Sequence, residues 1–110
     1  MSNYQDLKTW KKSEQGKAIT SKTQTGRVIL ALTETGRWHT LREIESVICA
    51  RFEDKDTQAA ISARLREIKP IKHGLVKQKY VIRHNNKNVY RYRLVPTFVI
   101  RALAGKAGDV

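Results

Sequence analysis

An α+β domain is predicted: three helices that bundle together, then a C-terminal β-hairpin, with short extra helices at the two ends. Three observations carry this. Apolar residues recur at helical spacing in three stretches between residues 27 and 68. From residue 75 to 95 the pattern changes to alternation around a turn-forming His84-Asn85-Asn86-Lys87-Asn88. That alternating stretch is also heavily charged, since residues 70–95 hold seven Lys and Arg and no Asp or Glu, or +7 of the formal +12.

The first 24 residues are polar, a candidate N-terminal arm. Tyr4, Leu7 and Trp10 recur every third residue, so a helix over 4–14 would show one narrow apolar stripe that needs a partner surface; the alternative is a frayed tail. The bundle begins near Arg27. Arg27-Val-Ile-Leu-Ala-Leu-Thr-Glu-Thr-Gly36 predicts a short helix with Val28, Ile29 and Leu32 inward and a stop at Gly36. Trp38 follows in a short extended piece, read as a plug of the core.

Thr40-Leu-Arg-Glu43 predicts a capping box, with hydroxyl and carboxylate each accepting from the other residue's amide. Leu41, Ile44, Val47 and Ile48 behind it carry a second helix to about residue 50–52. Cys49 is read as a small buried hydrophobe on that helix. After a polar turn over 52–56, Asp54 or Asp56 is expected to cap a third helix over 57–68, with Ile61, Leu65 and Ile68 inward. Pro70 ends it and Gly74 opens the hairpin.

Along the first strand, 75–83, Val76, Gln78, Tyr80 and Ile82 share one face, and Lys77, Lys79, Val81 and Arg83 the other. Along the second, 89–95, Tyr90, Tyr92 and Leu94 point one way as core residues, Arg91 and Arg93 the other. Residues 96–110 then predict a short apolar helix over 98–104 and a Gly-rich tail.

Composition narrows the function classes. A chain of 110 residues makes one domain that buries roughly two-thirds of its unfolded surface. No run approaches the ~18 apolar residues of a membrane span, and no apolar leader opens the chain, so a cytoplasmic location without a membrane partner is expected. The single cysteine excludes an internal disulfide. His39, His73 and His84 are dispersed, Glu43 and Glu45 do not face each other on their helix, and no Gly-rich phosphate loop is present. Neither a metal, a cofactor, a small-molecule ligand nor a catalytic site is therefore expected. A sequence pI near 10.2 leaves nucleic acid as the leading partner class.

The third helix and the hairpin hold the candidate contacts. Opposite its apolar stripe the helix presents Ala59, Ser62, Ala63 and Arg66, with Thr57 and Gln58 at the N-terminal end. Small alanines admit a close backbone; Gln58 suits adenine, Arg66 suits guanine, and Ser62 reaches phosphate or base. The same residues also suit a solvated helix face, and the basic hairpin beside them favours readout. Lys77, Lys79, Arg83, Lys87, Arg91 and Arg93 are candidate phosphate or minor-groove contacts, while Asn85 and Asn86 make the turn. Arg42 is a candidate backbone contact, or a partner of Glu43 or Glu45.

The stretches GRWHTLREIESVI and TQAAISARLREIKPIKHGLVKQ resemble the winged helix superfamily. The first is similar to its short strand and capped second helix, the second to its third helix running into the first strand of the wing. Ile61-Ser62-Ala63-Arg64-Leu65-Arg66-Glu67-Ile68 and Gly74-Leu75-Val76 fill the apolar-Ser-x-Arg-Leu-x-x-Leu and Gly-Leu-apolar pattern of many bacterial members. The resemblance covers residues 25–95 and departs from the family in the longer segment 69–73. It implies a winged helix domain between an N-terminal arm, 1–24, and a C-terminal helix and tail, 96–110. Small regulators of bacteria and their phages are the nearest type.

That fold serves several functions. The leading expectation is a non-enzymatic, sequence-specific double-stranded DNA-binding protein that regulates transcription. Its rivals are a protein-interaction module and a replication or recombination accessory factor. A homodimer is expected, to which Tyr4, Leu7 and Trp10 at one end and Phe98, Val99, Ile100 and Leu103 at the other contribute; the alternative is that these segments fold back on their own domain.

Overall fold

The computed structural model describes the backbone of residues 2–108 and side chains as far as residue 102. Seven helices and one antiparallel hairpin follow in the order α1 (Asn3–Lys11), α2 (Glu14–Lys17), α3 (Gln24–Thr33), α4 (Leu41–Phe52), α5 (Gln58–Glu67), α6 (Pro70–His73), β1 (Leu75–His84), β2 (Lys87–Pro96) and α7 (Thr97–Gly108). The protein is therefore an α+β domain. Helices α3, α4 and α5 pack on one another, and β2 closes the bundle from the side.

Local chemistry sets most boundaries. Ser2, Ser13, Thr23, Thr40 and Thr57 each accept an amide proton from three residues on, which starts α1 to α5. At Thr40 the box is complete: Glu43 N–H donates to the hydroxyl at 3.1 Å, and Thr40 N–H donates to the Glu43 carboxylate at 2.8 Å. The caps also move two expected boundaries. Thr23 starts α3 three residues ahead of Arg27, and Thr57, rather than Asp54 or Asp56, caps α5. Pro70 does not merely stop α5. It opens the short α6, where its missing N–H costs nothing, and Gly74 at φ 68° closes that turn.

The polar N-terminal segment belongs to the core. Leu7 and Trp10 of α1 are buried with Val28, Ile29 and Leu32 of α3, and the Trp10 indole donates to the His73 carbonyl at 2.7 Å. Two residues of the stripe expected to seek another surface are thus satisfied within the same domain, while Tyr4 stays 40% exposed. Neither Leu7 nor Trp10 is available for pairing between chains.

The hairpin turns on two residues, not five. Asn85 and Asn86 both have positive φ, 50° and 61°, the pattern of a type I′ turn. This changes the register by one residue. A turn spanning 84–88 would pair Arg83 with Val89 and gather Lys77, Lys79, Arg83, Arg91 and Arg93 on one face. The observed register pairs Arg83 with Asn88 and Tyr80 with Arg91. Lys77, Lys79 and Arg83 therefore share a face with Tyr90, Tyr92 and Leu94, while Arg91 and Arg93 lie on the other with Gln78, Tyr80 and Ile82. His39 extends the sheet by one position, exchanging two 2.8 Å backbone hydrogen bonds with Tyr92.

Four further expectations are corrected. Cys49 is exposed, because α4 turns Ile44 and Ile48 inward and the next residue lies about 100° around the helix. Trp38 is half-buried against the hairpin instead of filling the core. Tyr92 is buried but Tyr90, two residues nearer the hairpin tip, is 42% exposed beyond the reach of the bundle. Finally, Pro96 completes β2, and α7 continues from Thr97 through the Gly-rich segment to Gly108.

Candidate nucleic-acid interface

An ion pair ties the turn before α5 to α3. Arg27 of α3 forks onto Asp56, with Nε 2.8 Å from Oδ2 and a terminal nitrogen 2.9 Å from Oδ1, and Gln24 donates to the same carboxylate at 3.0 Å. Asp56 is 6% exposed. Hydrogen bonds from Arg27 hold its carboxyl below the usual range against the penalty of burial, and Asp56 raises the Arg27 guanidinium in return. The residue that follows, Thr57, begins the helix. Behind the cap Ile61 and Leu65 are fully buried, a contribution of about 2–3 kcal/mol each, and they fix which face of α5 points outward.

The outward face carries Gln58, Ala59 and Arg66 exposed and Ser62 and Ala63 half-buried. Two of the candidate contacts have prior engagements. The Thr57 hydroxyl accepts from Ala60 N–H at 3.2 Å as the cap. The Gln58 amide donates to Glu45 of α4 at 3.2 Å, a contact that spacing along the chain gave no reason to expect. Arg42, near the start of α4, is exposed and pairs with neither Glu43 nor Glu45: Glu43 is turned to Thr40, and Glu45 takes Gln58.

Beyond Arg66 the surface continues onto the bundle-side face of the hairpin. Lys77 is half-buried; that burial, together with the charges of Lys79 and Arg66, pushes its ammonium below the ordinary lysine range. Burial raises the Tyr92 phenol, and the charge of Arg66 at the end of α5 acts against that rise. Lys79 lies 5.4 Å from the Tyr90 ring centre, and Arg83 is exposed toward the tip, where Lys87 falls by register on the opposite face.

The opposite face has another character. Arg93 lies 4.6 Å over the Trp38 ring and donates to Gln78 at 2.8 Å, and Trp38 meets Tyr80 edge-on with centroids 4.5 Å apart. Arg91 is half-buried; its Nε has no hydrogen-bond partner among the described residues, and its charge helps lower the Glu43 carboxyl. The hairpin cations thus divide into Lys77, Lys79 and Arg83 on the face turned to the bundle, toward Arg66, and Arg91 and Arg93 on the far side of the sheet. Among the described residues no group of His, Cys, Asp and Glu is placed to hold a metal ion, and no helix is long and apolar enough to cross a membrane.

Comparison with protein-family models, curated proteins and solved structures gave no match. The chemistry of the surface stands on its own.

Proposed function

We propose that this chain is a non-enzymatic winged helix protein that binds double-stranded DNA at particular sequences and so regulates transcription, inside the cell that holds that DNA. The observation that carries the reading is the register that sets Lys77, Lys79 and Arg83 on one face of the hairpin, with Arg66 at the end of α5 near enough for its charge to act on Lys77. Lys77 is half-buried among these like charges, and a phosphate backbone laid across them relieves the repulsion. The order α3, the His39 bridge, α4, α5 and hairpin supports the winged helix reading, as does the pairing of His39 with the second strand.

On this reading α5 enters the major groove. Its small residues Ala59, Ser62 and Ala63 admit the groove edge, Gln58 and Arg66 address bases, and Lys77, Lys79 and Arg83 hold the adjoining backbone. Arg91, Arg93 and Lys87 serve the outer flank, and Arg42 the strand beside α4. Pairing of two copies would lengthen the site read. The half of that pairing surface left exposed lies on α7, where Phe98 is 47% exposed and Val99 and Ile100 are half-buried; the Leu103 side chain lies outside the described residues.

Selection of bound duplexes from a random pool tests the reading. An enriched motif is the expected outcome. Retention of no duplex at all would remove it.

A further inference from the structure

A second concentration of positive charge lies on the other flank of α5, around a cavity of about 730 Å³. One wall is the end of α5 with α6, where Arg66, Lys69 and Lys72 stand. The other is the loop 18–23 with the first turn of α3, which brings Thr20, Thr23 and Thr25. A single carboxylate, Glu67, is among the described lining residues, and it is paired with Arg64 at 2.9 Å. Cations therefore face hydroxyls across an open groove.

The loop is held in that position. Gly26 lets it press onto α3, since a Cβ there would collide with the Thr20 carbonyl. Thr23 accepts the Gly26 amide at 2.9 Å, so its hydroxyl proton is left to donate outward. Lys69 and Lys72 are exposed and make no ion pair among the described residues, and α6 holds them beside Arg66 through the 3.0 Å hydrogen bond that Lys69 N–H donates to His73 Nδ1. The volume exceeds what one small anion needs and suits a stretch of sugar–phosphate chain. Arg66 belongs both to this cavity and to the outward face of α5, so a strand that passes α5 passes the cavity next.

We infer that the groove between α6 and the segment 18–25 is a second cradle for the DNA backbone, taking phosphodiesters with Lys69, Lys72 and the hydroxyls of Thr20, Thr23 and Thr25. The inference rests on the DNA-binding reading and adds to it a grip on the side of α5 away from the hairpin. The duplex is then clamped from both flanks, and the position of α5 in the groove is set by phosphates on either side.

Duplex titrations at several salt concentrations test this with three full-length proteins: the wild type, Lys69→Ala/Lys72→Ala, and Lys8→Ala/Lys12→Ala as a control with the same change in net charge. The cradle predicts that the first double variant binds specific and random duplex about tenfold more weakly and that its log–log salt slope flattens by about 2, while the control moves little. Equal losses in both doubles would mean general electrostatics and overturn the cradle. Wild-type binding with an unchanged Lys69→Ala/Lys72→Ala variant would overturn it while leaving the DNA-binding reading intact; failure of the wild type to bind any duplex would remove both. A last arm titrates inorganic phosphate and a mononucleotide against the amide resonances of residues 20–26. Millimolar or weaker binding is expected, and micromolar saturation with duplex binding unaffected by the lysine changes would assign the groove to a free phosphate ester instead.

Discussion

Arg27 and Asp56, 29 residues apart, form a two-pronged ion pair that ties the start of α3 to the turn before α5. The helix proposed to read DNA is thus oriented from its N-terminal end by a contact that touches no DNA. Arg27→Ala strips one partner from a buried carboxylate, and a loss of about 3 kcal/mol in denaturant unfolding is expected. The pair also sets an acid limit. Asp56 has its carboxyl lowered in the folded state, so its stabilisation is full above the unfolded value near 3.8 and is lost as pH falls through the folded one. Unfolding followed below pH 4 should show a steeper loss for the wild type than for Asp56→Asn, which has already forfeited that contribution.

The register of the hairpin divides its cations into two groups with different duties. Lys77 and Lys79 lie on the face turned to the bundle, whereas Arg93 is held by Trp38 and Gln78 on the other face. Lys77→Ala/Lys79→Ala should flatten the salt slope of duplex binding by about 2, and Arg91→Ala/Arg93→Ala by less. Affinity measured from low to moderate salt checks this. A larger effect from the arginine pair would place the DNA on the outer face of the sheet.

Much of this architecture was legible in the sequence because its causes are local. The capping box at Thr40 and Glu43 needs only spacing, and the stripes of α3, α4 and α5 follow from the helical period. The division of the hairpin was not legible. Alternation along each strand says which residues share a side, but which sides meet depends on the turn, and an Asn-Asn loop of two residues rather than five reverses the answer. The Arg27–Asp56 tie, the Gln58–Glu45 contact and the burial of Trp10 under His73 are long-range pairings that no periodicity announces. Asp56 and Thr57 both suit a helix cap; the choice between them came from Arg27.

Gln58 is engaged before any DNA arrives, by the carboxylate of Glu45. To address a base it must leave that acceptor, and the carboxylate itself repels phosphate. Glu45→Gln removes the repulsion and should tighten binding to all duplexes, while Gln58→Ala should relax preference at one base pair by about 1–3 kcal/mol. Competition with single-base variants of the selected site separates the two outcomes.

Self-association, if α7 carries it, depends on Phe98 and not on α1, whose Leu7 and Trp10 are buried. Sedimentation equilibrium should find a dimer for the full chain at micromolar concentration and a folded monomer for Phe98→Asp. A wild type that stays monomeric with and without DNA would end the proposal of a two-fold related site.

The most direct test of the account is the binding of Arg66→Ala to the selected duplex and to its single-base variants. Arg66 belongs both to the outward face of α5 and to the cavity by α6, and its charge acts on Lys77 of the hairpin. The account predicts that the variant stays folded, weakens on the selected duplex, and loses about 1–3 kcal/mol of discrimination at one base pair while preference elsewhere persists. An Arg66→Ala protein that binds and discriminates as the wild type does would contradict the placement of α5 in the major groove.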